Sequence, residues 1–378
     1  MKILIVIPDF PVDTDDIKGG VNSALLNLLT GFSNGDITIR VVSFNRGIQK
    51  EILINFSPNI DIYFIPEGKL PHVFNFIFKG TAVIKKHIRQ FDPSIIQYAM
   101  SGYILLTKIF GLLRKVPIVT IHGIPFLEAK QKINIKEKLV YYTNGIIELL
   151  FCPANVIHIS NYSSFKYKSK KKYKTAIIEN AVSPDYFTIP FKTNTSNKLL
   201  YAGSIEARKN ILFVLKALKA LLDKGLSISL EVVGGFTDEV YKKEVLAFIK
   251  NNNLEQFINL YGWLPQEKFK KVLANSDILI VSSKQETMPM VIAEAMSAGK
   301  VVVSSSTGGI PEMIRDGEDG FLFDTSAIEN ATTILERLYN NNPLIHQIQT
   351  SARKRALKIY HCDKVAVKTI TFYHTLLN

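Results

Sequence analysis

The run QETMPMVIAEAMSAGKVVVSSSTGGIPEMIRDGEDGFLF, residues 285–323, decides the fold class. It sets two carboxylates, Glu286 and Glu294, eight positions apart. The apolar stretch before it, DILIV (277–281), reads as a buried strand. Glu286 is therefore expected in the loop after that strand, and Glu294 on the first turns of the helix that follows. In an open α/β sheet, ligands bind in the crevice outside the carboxyl ends of the strands, where this loop lies. The helix is expected to start near Pro289, because proline suits a first helical position. Its unpaired N–H groups and partial positive charge make an anion site of the backbone around Met288, Pro289, Met290 and Val291. Two hydroxyl acceptors flanking a phosphate site are what is needed to hold a sugar, a diphosphate and a ribose in a row.

Outward from this run, strands and helices alternate, as in parallel sheets wrapped by helices. Strands are expected at 2–7, 37–43, 60–65, 94–98, 117–121, 155–159 and 175–178, and again at 198–203, 227–233, 257–260, 277–281, 300–303 and 321–323. Helices include 21–33, 102–114, 325–340 and 344–360. The segment SPDYFTIPFKTNTSN (183–197) has linker composition. The fold class is α/β: two Rossmann-like parallel-sheet domains facing a cleft, a preferred place for ligands. Domain boundaries are expected at 1–190 and 191–378, with the final helix free to pack back on the N-terminal domain.

The length, 378 residues, suits two cores. Cys152 and Cys362 are far apart, which argues for a reducing compartment and against a disulfide framework. The opening MKILIVIPDF lacks a small-residue cleavage site and reads as a first strand. The most apolar long stretch, 139–159, is broken by Asn144, Glu148 and Pro153 and reads as a helix then a strand, not a membrane span. These features place the chain in the cytoplasm, with the inner face of the membrane as a second possibility. Of the net charge of +13, +9 lies in residues 1–190. That excess fits either a general lysine richness or an anionic partner. Nucleic acid is not expected: the basic run KYKSKKKYK (166–174) has no glycine-aromatic RNA motif or zinc-finger spacing around it.

Smaller constellations add to the central run. In YAGSIEARKNILFVLKAL (201–218) the strand is expected to end at Gly203 and a helix to start near Arg208. Lys209 then sits at the same sheet edge as Glu286, where a cation neutralises a diphosphate leaving group; a solvated basic helix start is the alternative. Gly19 and Gly20 follow the first strand and either let backbone approach a phosphate or form an ordinary loop. His122 falls just past a buried strand, facing a cleft, with no His or Cys partner at metal-ligand spacing. The pair Gly308–Gly309 is either a tight turn or a second backbone wall beside the ligand.

Together these residues resemble the retaining glycosyltransferases of family four, which have the two-domain B-type fold. The pattern E-x7-E is carried by Glu286 and Glu294, with GWLPQEKFKKVLANSDILIVSS before it and AMSAGKVVVSSSTGGIPEMI after it. IIENAVSPDYF (177–187) resembles the family's Asn-Gly-Val segment, with Ala181 in place of a common glycine. His122 and Gly20 match the family's first-domain histidine and glycine loop. The family's usual arginine after the glycine of the 201–210 motif is Ser204 here, and Arg208 is the candidate substitute.

The resemblance implies an acceptor-binding first domain, a nucleotide-sugar-binding second domain, and sugar transfer to an acceptor hydroxyl with retention. It implies that Glu286 holds hydroxyls of the transferred sugar and Glu294 those of the ribose. Lys209 and Arg208 would meet the diphosphate, and His122 the donor sugar near the reacting carbon. Ser204, Leu264, Gly20 and the Met288–Val291 backbone complete the expected donor contacts. No metal and no cofactor beyond the donor itself are expected. Partners would be a nucleotide-sugar and a saccharide or lipid-linked saccharide acceptor. A sugar-nucleotide epimerase, a phosphorylase and a non-catalytic sugar-binding subunit remain as alternatives. HVFNFIFKGTAVIKKHIRQF (72–91), with Phe74, Phe76 and Phe78 ahead of Lys85, Lys86 and Arg89, reads either as a helix covering the first sheet or as a contact with an anionic membrane.

Overall fold

The computed structural model of the chain describes residues 1–14, 17–67, 80–99, 115–131, 135–151, 155–167, 174–191 and 197–378. These form two compact units, Met1–Ala181 with Cys362–Asn378, and Val182–His361.

The first unit is built on a sheet of strands β1 (Lys2–Pro8), β2 (Thr38–Asn45), β3 (Ile52–Ser57), β4 (Ile60–Pro66), β5 (Ile95–Tyr98), β6 (Val116–Ile121), β7 (Asn155–His158) and β8 (Lys174–Ile177). Their order is β3-β4-β2-β1-β5-β6-β7-β8. All pairings are parallel except that of β3 with β4. Strands buried on both faces read as unbroken apolar runs, which is why β1 is legible as ILIVI. The edge strand β3 is half-exposed and was not expected from the sequence.

Helices α1 (Gly20–Phe32), α2 (Thr81–Phe91), α3 (Pro125–Gln131), α4 (Ile135–Phe151) and α5 (Asn161–Lys166) belong to this unit. The last helix, Cys362–Leu377, packs on α1. Its Tyr373 hydroxyl donates to Gln97 Oε1 on β5. The stretch 139–159 is indeed the end of a helix followed by a strand, and no helix among the described residues is long and apolar enough to cross a membrane. The expected helix 102–114, Cys152, Phe74, Phe76, Phe78 and most of the basic run 166–174 lie outside the described residues.

The second unit carries strands β9 (Lys198–Ala202), β10 (Ser229–Val233), β11 (Ile258–Gly262), β12 (Ile278–Val281), β13 (Val301–Ser305) and β14 (Phe321–Phe323), all parallel. Their order is β11-β10-β9-β12-β13-β14, which is 3-2-1-4-5-6 in order along the chain. In such a doubly wound sheet the strand order reverses between the first and fourth strands, so the loops after β9 and β12 flank the crevice. Around it lie α6 (Pro184–Phe187), α7 (Ile211–Asp223), α8 (Glu239–Asn251), α9 (Gln266–Asn275), α10 (Met290–Ser297), α11 (Ile310–Met313), α12 (Ile328–Leu338) and α13 (Asn342–Ile359).

The boundary falls at 181/182 and not at 190/191, because the start of the supposed linker is built into the second unit. Val182 N donates to Tyr360 O at 2.8 Å. Ser183 caps α6, Pro184 opens it, and Tyr186 is wholly buried. Of the two helix starts at the site, one falls within a residue of expectation and one does not. Pro289 caps α10 and Met290 begins it. Asn210, held left-handed at φ 57°, delays α7 to Ile211, so Arg208 and Lys209 stand in the turn ahead of it.

Candidate active site

The loops after β9 and β12 bring three charged side chains onto one point. Lys209 Nζ donates to Glu286 Oε1 at 2.5 Å, and Arg208 Nη1 lies 3.4 Å from the same oxygen. The Arg208 guanidinium also donates to the Gln285 carbonyl at 2.9 Å and to Glu206 Oε1 at 2.7 Å. Ser204 Oγ donates to that Glu206 oxygen at 3.2 Å. The two loops are tied through their backbones as well. Lys284 N donates to Arg208 O at 2.8 Å, and Ser282 Oγ donates to the carbonyls of Lys209 and Asn210 at 3.1 and 2.8 Å.

Glu286 is buried, which on its own pushes its carboxyl up. The charges of Lys209 and Arg208, with the Lys209 hydrogen bond, outweigh that and hold it below the ordinary carboxylate range. It is therefore an ionised acceptor at neutral pH.

The pair Gly308–Gly309 fixes the Glu286 backbone. Gly309 N donates to Glu286 O at 3.1 Å. Gly308 has φ +59°, and a Cβ there would stand 1.8 Å from Glu286 O, so neither the conformation nor the space admits a side chain. The carboxylate of Glu286 is thus positioned from both ends, by cations at its oxygen and by a glycine pair at its carbonyl.

Glu294 sits one turn into α10 in a different environment. It is 8% exposed. Burial raises its carboxyl from 4.5 to about 7, with the Tyr186 hydroxyl and the Lys270 charge pulling it part of the way back. Lys270 is itself engaged, bonding Asp185 at 2.9 Å and Glu267 at 2.8 Å, with its ammonium 5.6 Å from the Tyr186 ring centroid. Glu294 is a buried acceptor short of a full counter-charge. At the head of α10, Met288, Pro289 and Met290 are buried, Val291 is half-buried, and no side chain caps the helix. Leu264 is half-buried between β11 and α9.

Two further expected residues lie on the first unit. Gly19 takes φ +88° as the N-cap of α1, and Gly20 is the first residue of that helix, which no side chain caps. His122 follows β6 and borders a small cavity together with Gln97, Thr120, Asn180 and Thr369. Burial lowers its imidazole to about 4, against an opposing hydrogen bond with Asn180, so it is neutral at pH 7.

Sequence reasoning missed Glu206, Tyr186 and Lys270. Glu206 was legible two residues before Arg208, on the same turn. Tyr186 and Lys270 reach Glu294 only through tertiary packing, and no local pattern marks them.

Residues 183–355 match the family model described as glycosyl transferases group 1, and residues 22–161 match one described as glycosyl transferase 4-like. Each model covers less than half of the chain, and both describe glycosyl transferases. More particularly, the chain is 32% identical to the lipopolysaccharide 1,2-N-acetylglucosaminetransferase of Salmonella typhimurium over 177 residues, 44% of this chain and 45% of that one. Several curated relatives are matched over only 30% to 46% of their length. Sucrose-phosphate synthase from Thermosynechococcus elongatus superposes with a TM-score of 0.80 at 16% identity, covering 100% of this chain and 99% of that one. HepE from Anabaena, in a crystal structure with UDP and glucose, superposes with a TM-score of 0.74 at 17% identity, covering 99% and 100%. At such identities the superpositions speak for the fold.

Proposed function

We propose that the protein moves a sugar from a nucleotide-sugar donor to an acceptor hydroxyl with retention of anomeric configuration, in surface polysaccharide or glycolipid synthesis. The observation that carries this reading is the convergence of Lys209 and Arg208 on Glu286 at the reversal point of the second sheet. Two cations there offer charge-assisted contacts to a departing diphosphate, the kind of pre-arranged electrostatic stabilisation that lowers a transfer barrier. Glu286, ionised and held at both ends, accepts hydroxyls of the transferred sugar. Glu294 accepts the ribose hydroxyls, and the uncapped head of α10 meets phosphate oxygens. Arg208 takes the part that an arginine at position 204 plays in the family, since its guanidinium reaches the Glu286 oxygen. Ser204 and Leu264 complete the donor contacts in the second unit.

Leaving-group stabilisation carries the catalysis, and lysine, arginine and helix ends supply the charge without a metal. The lipopolysaccharide transferase supports a glycan product, and the UDP and glucose of HepE support a nucleotide-sugar donor. The E-x7-E run argues against an epimerase, and the intact Glu286, Glu294 and Lys209 argue against a non-catalytic subunit.

Isothermal titration tests the division of roles. Glu294→Gln should weaken both nucleoside diphosphate and nucleotide-sugar. Glu286→Gln should weaken only the nucleotide-sugar and abolish transfer. Equal losses for the free nucleotide in both variants refute the assignment. An inverted product anomer, read by NMR, refutes retention.

A further inference from the structure

The turn GSIEARKN (203–210) sets a carboxylate, Glu206, two residues ahead of Arg208. Its backbone is anchored from several sides. Ile205 N donates to Gly235 O, in the loop after β10, at 2.8 Å. The Tyr201 hydroxyl donates to Ser204 O at 3.0 Å. Lys209 N and Asn210 N both donate to Glu206 O, at 3.0 and 3.2 Å. The place of Glu206 in the turn therefore does not depend on its side chain.

That side chain is spent on Arg208. Glu206 Oε1 accepts from Arg208 Nη2 at 2.7 Å and from Ser204 Oγ at 3.2 Å. On its other nitrogen, Arg208 Nη1 donates to Gln285 O at 2.9 Å. A guanidinium is a rigid planar fork, so two acceptors on different nitrogens fix its plane as well as its position. The Arg208 and Glu206 side chains are 23% and 18% exposed, so the pair is better covered than the loose surface pairs that contribute little.

The consequence falls on Glu286. Its Oε1 already takes the Lys209 ammonium at 2.5 Å. Arg208 Nη1 stops 3.4 Å from the same oxygen, about 0.5 Å beyond a charge-assisted hydrogen bond. Opposite charges attract more strongly out of bulk water, so without a counter-pull Arg208 would close that gap. Two cations would then fill the Glu286 oxygen, leaving it less able to accept hydroxyls.

We propose that Glu206 is a positioning residue for donor binding: it holds Arg208 back from Glu286, which leaves the carboxylate open to the transferred sugar and the guanidinium turned to the diphosphate. The inference rests on reading Glu286 as the acceptor of sugar hydroxyls. Ser204 serves the same arrangement, since its hydroxyl steadies the Glu206 oxygen that Arg208 uses.

Two measurements on Glu206→Ala and Glu206→Gln test it. Crystal structures without ligand should show Arg208 Nη1 drawn to hydrogen-bond distance from Glu286 in Glu206→Ala. In Glu206→Gln, whose amide oxygen still accepts from Arg208, the wild-type spacing should remain. Isothermal titration then uses the nucleoside diphosphate and nucleotide-sugar that the wild type selects from UDP-, GDP- and ADP-linked sugars. In Glu206→Ala the ratio of nucleotide-sugar to nucleoside diphosphate affinity should fall on the order of tenfold, the worth of about one hydrogen bond to a charged group. Glu206→Gln should restore it. The ratio is decisive because losing a negative charge favours both anionic ligands alike. Arg208 unmoved in Glu206→Ala, or a ratio lowered equally in both variants, overturns the proposal. A ratio unmoved in Glu206→Ala but lowered in Glu286→Gln overturns this inference alone. A ratio unmoved in Glu286→Gln overturns the sugar-binding role of Glu286 and this inference with it.

Discussion

Replacing Glu294 by glutamine should stabilise the protein more at pH 8 than at pH 5.5. Burial lifts this carboxyl from 4.5 to about 7, so folding disfavours its charged form. For a carboxyl with a raised folded pKa, the folded state binds the extra proton between 4.5 and about 7. Stability is thus lost as pH rises through that window, and the whole penalty is present above it. At 1.36 kcal/mol per unit the full penalty is about 3 kcal/mol. About 1.4 kcal/mol of it is already present at pH 5.5, which leaves about 2 kcal/mol to appear by pH 8. Glutamine has no charge to bury and escapes the penalty. For a unit of this size, 1 kcal/mol moves Tm by about 2–4 °C, so the variant should gain roughly 4–8 °C on the wild type between the two pH values. Thermal unfolding of both proteins at pH 5.5 and 8 reads this directly. A Tm difference that is the same at both pH values refutes the environment described for Glu294. The same titration carries a functional signature: ribose hydroxyls need the ionised acceptor, so nucleoside diphosphate affinity should rise more steeply through about pH 7 in the wild type than in the variant, where only the ligand's own phosphate titrates.

Lys209→Ala should cut turnover by about 2–4 kcal/mol of transition-state stabilisation, read as kcat in a transfer assay; undiminished kcat places the leaving group elsewhere. The same substitution removes the largest of the influences that hold the Glu286 carboxyl down, so its titration should move upward, which NMR of the carboxyl carbon detects. Gly308→Ala should lower Tm and nucleotide-sugar affinity together, because its Cβ meets the Glu286 carbonyl at 1.8 Å; a variant with native Tm and affinity shows that the glycine pair does not position Glu286. EDTA should leave transfer unchanged, and activity lost to chelation and regained with a divalent ion contradicts metal-independent neutralisation.

Much of the fold was legible because parallel strands buried on both faces are continuous apolar runs. The strands at 2–8, 278–281 and 301–305 stand out as such, while half-exposed Ile52–Ser57 does not. Arg208, Lys209 and Glu286 could be set at one sheet edge from the strand-loop rhythm alone. Their convergence on a single oxygen depends on Asn210 taking a left-handed conformation, which composition does not dictate. The partners of Glu294 were not legible, since Tyr186 belongs to a segment of linker composition that turns out to fold as a capped helix.

Thermal unfolding of the wild type against a panel of nucleotide-sugars tests the central claim most directly. A donor at 100 times its dissociation constant should add roughly 2.7 kcal/mol of stability, with the gain greatly reduced in Glu294→Gln. A panel in which no nucleotide-sugar or nucleoside diphosphate raises Tm, or in which the gain is unchanged in Glu294→Gln, contradicts the account.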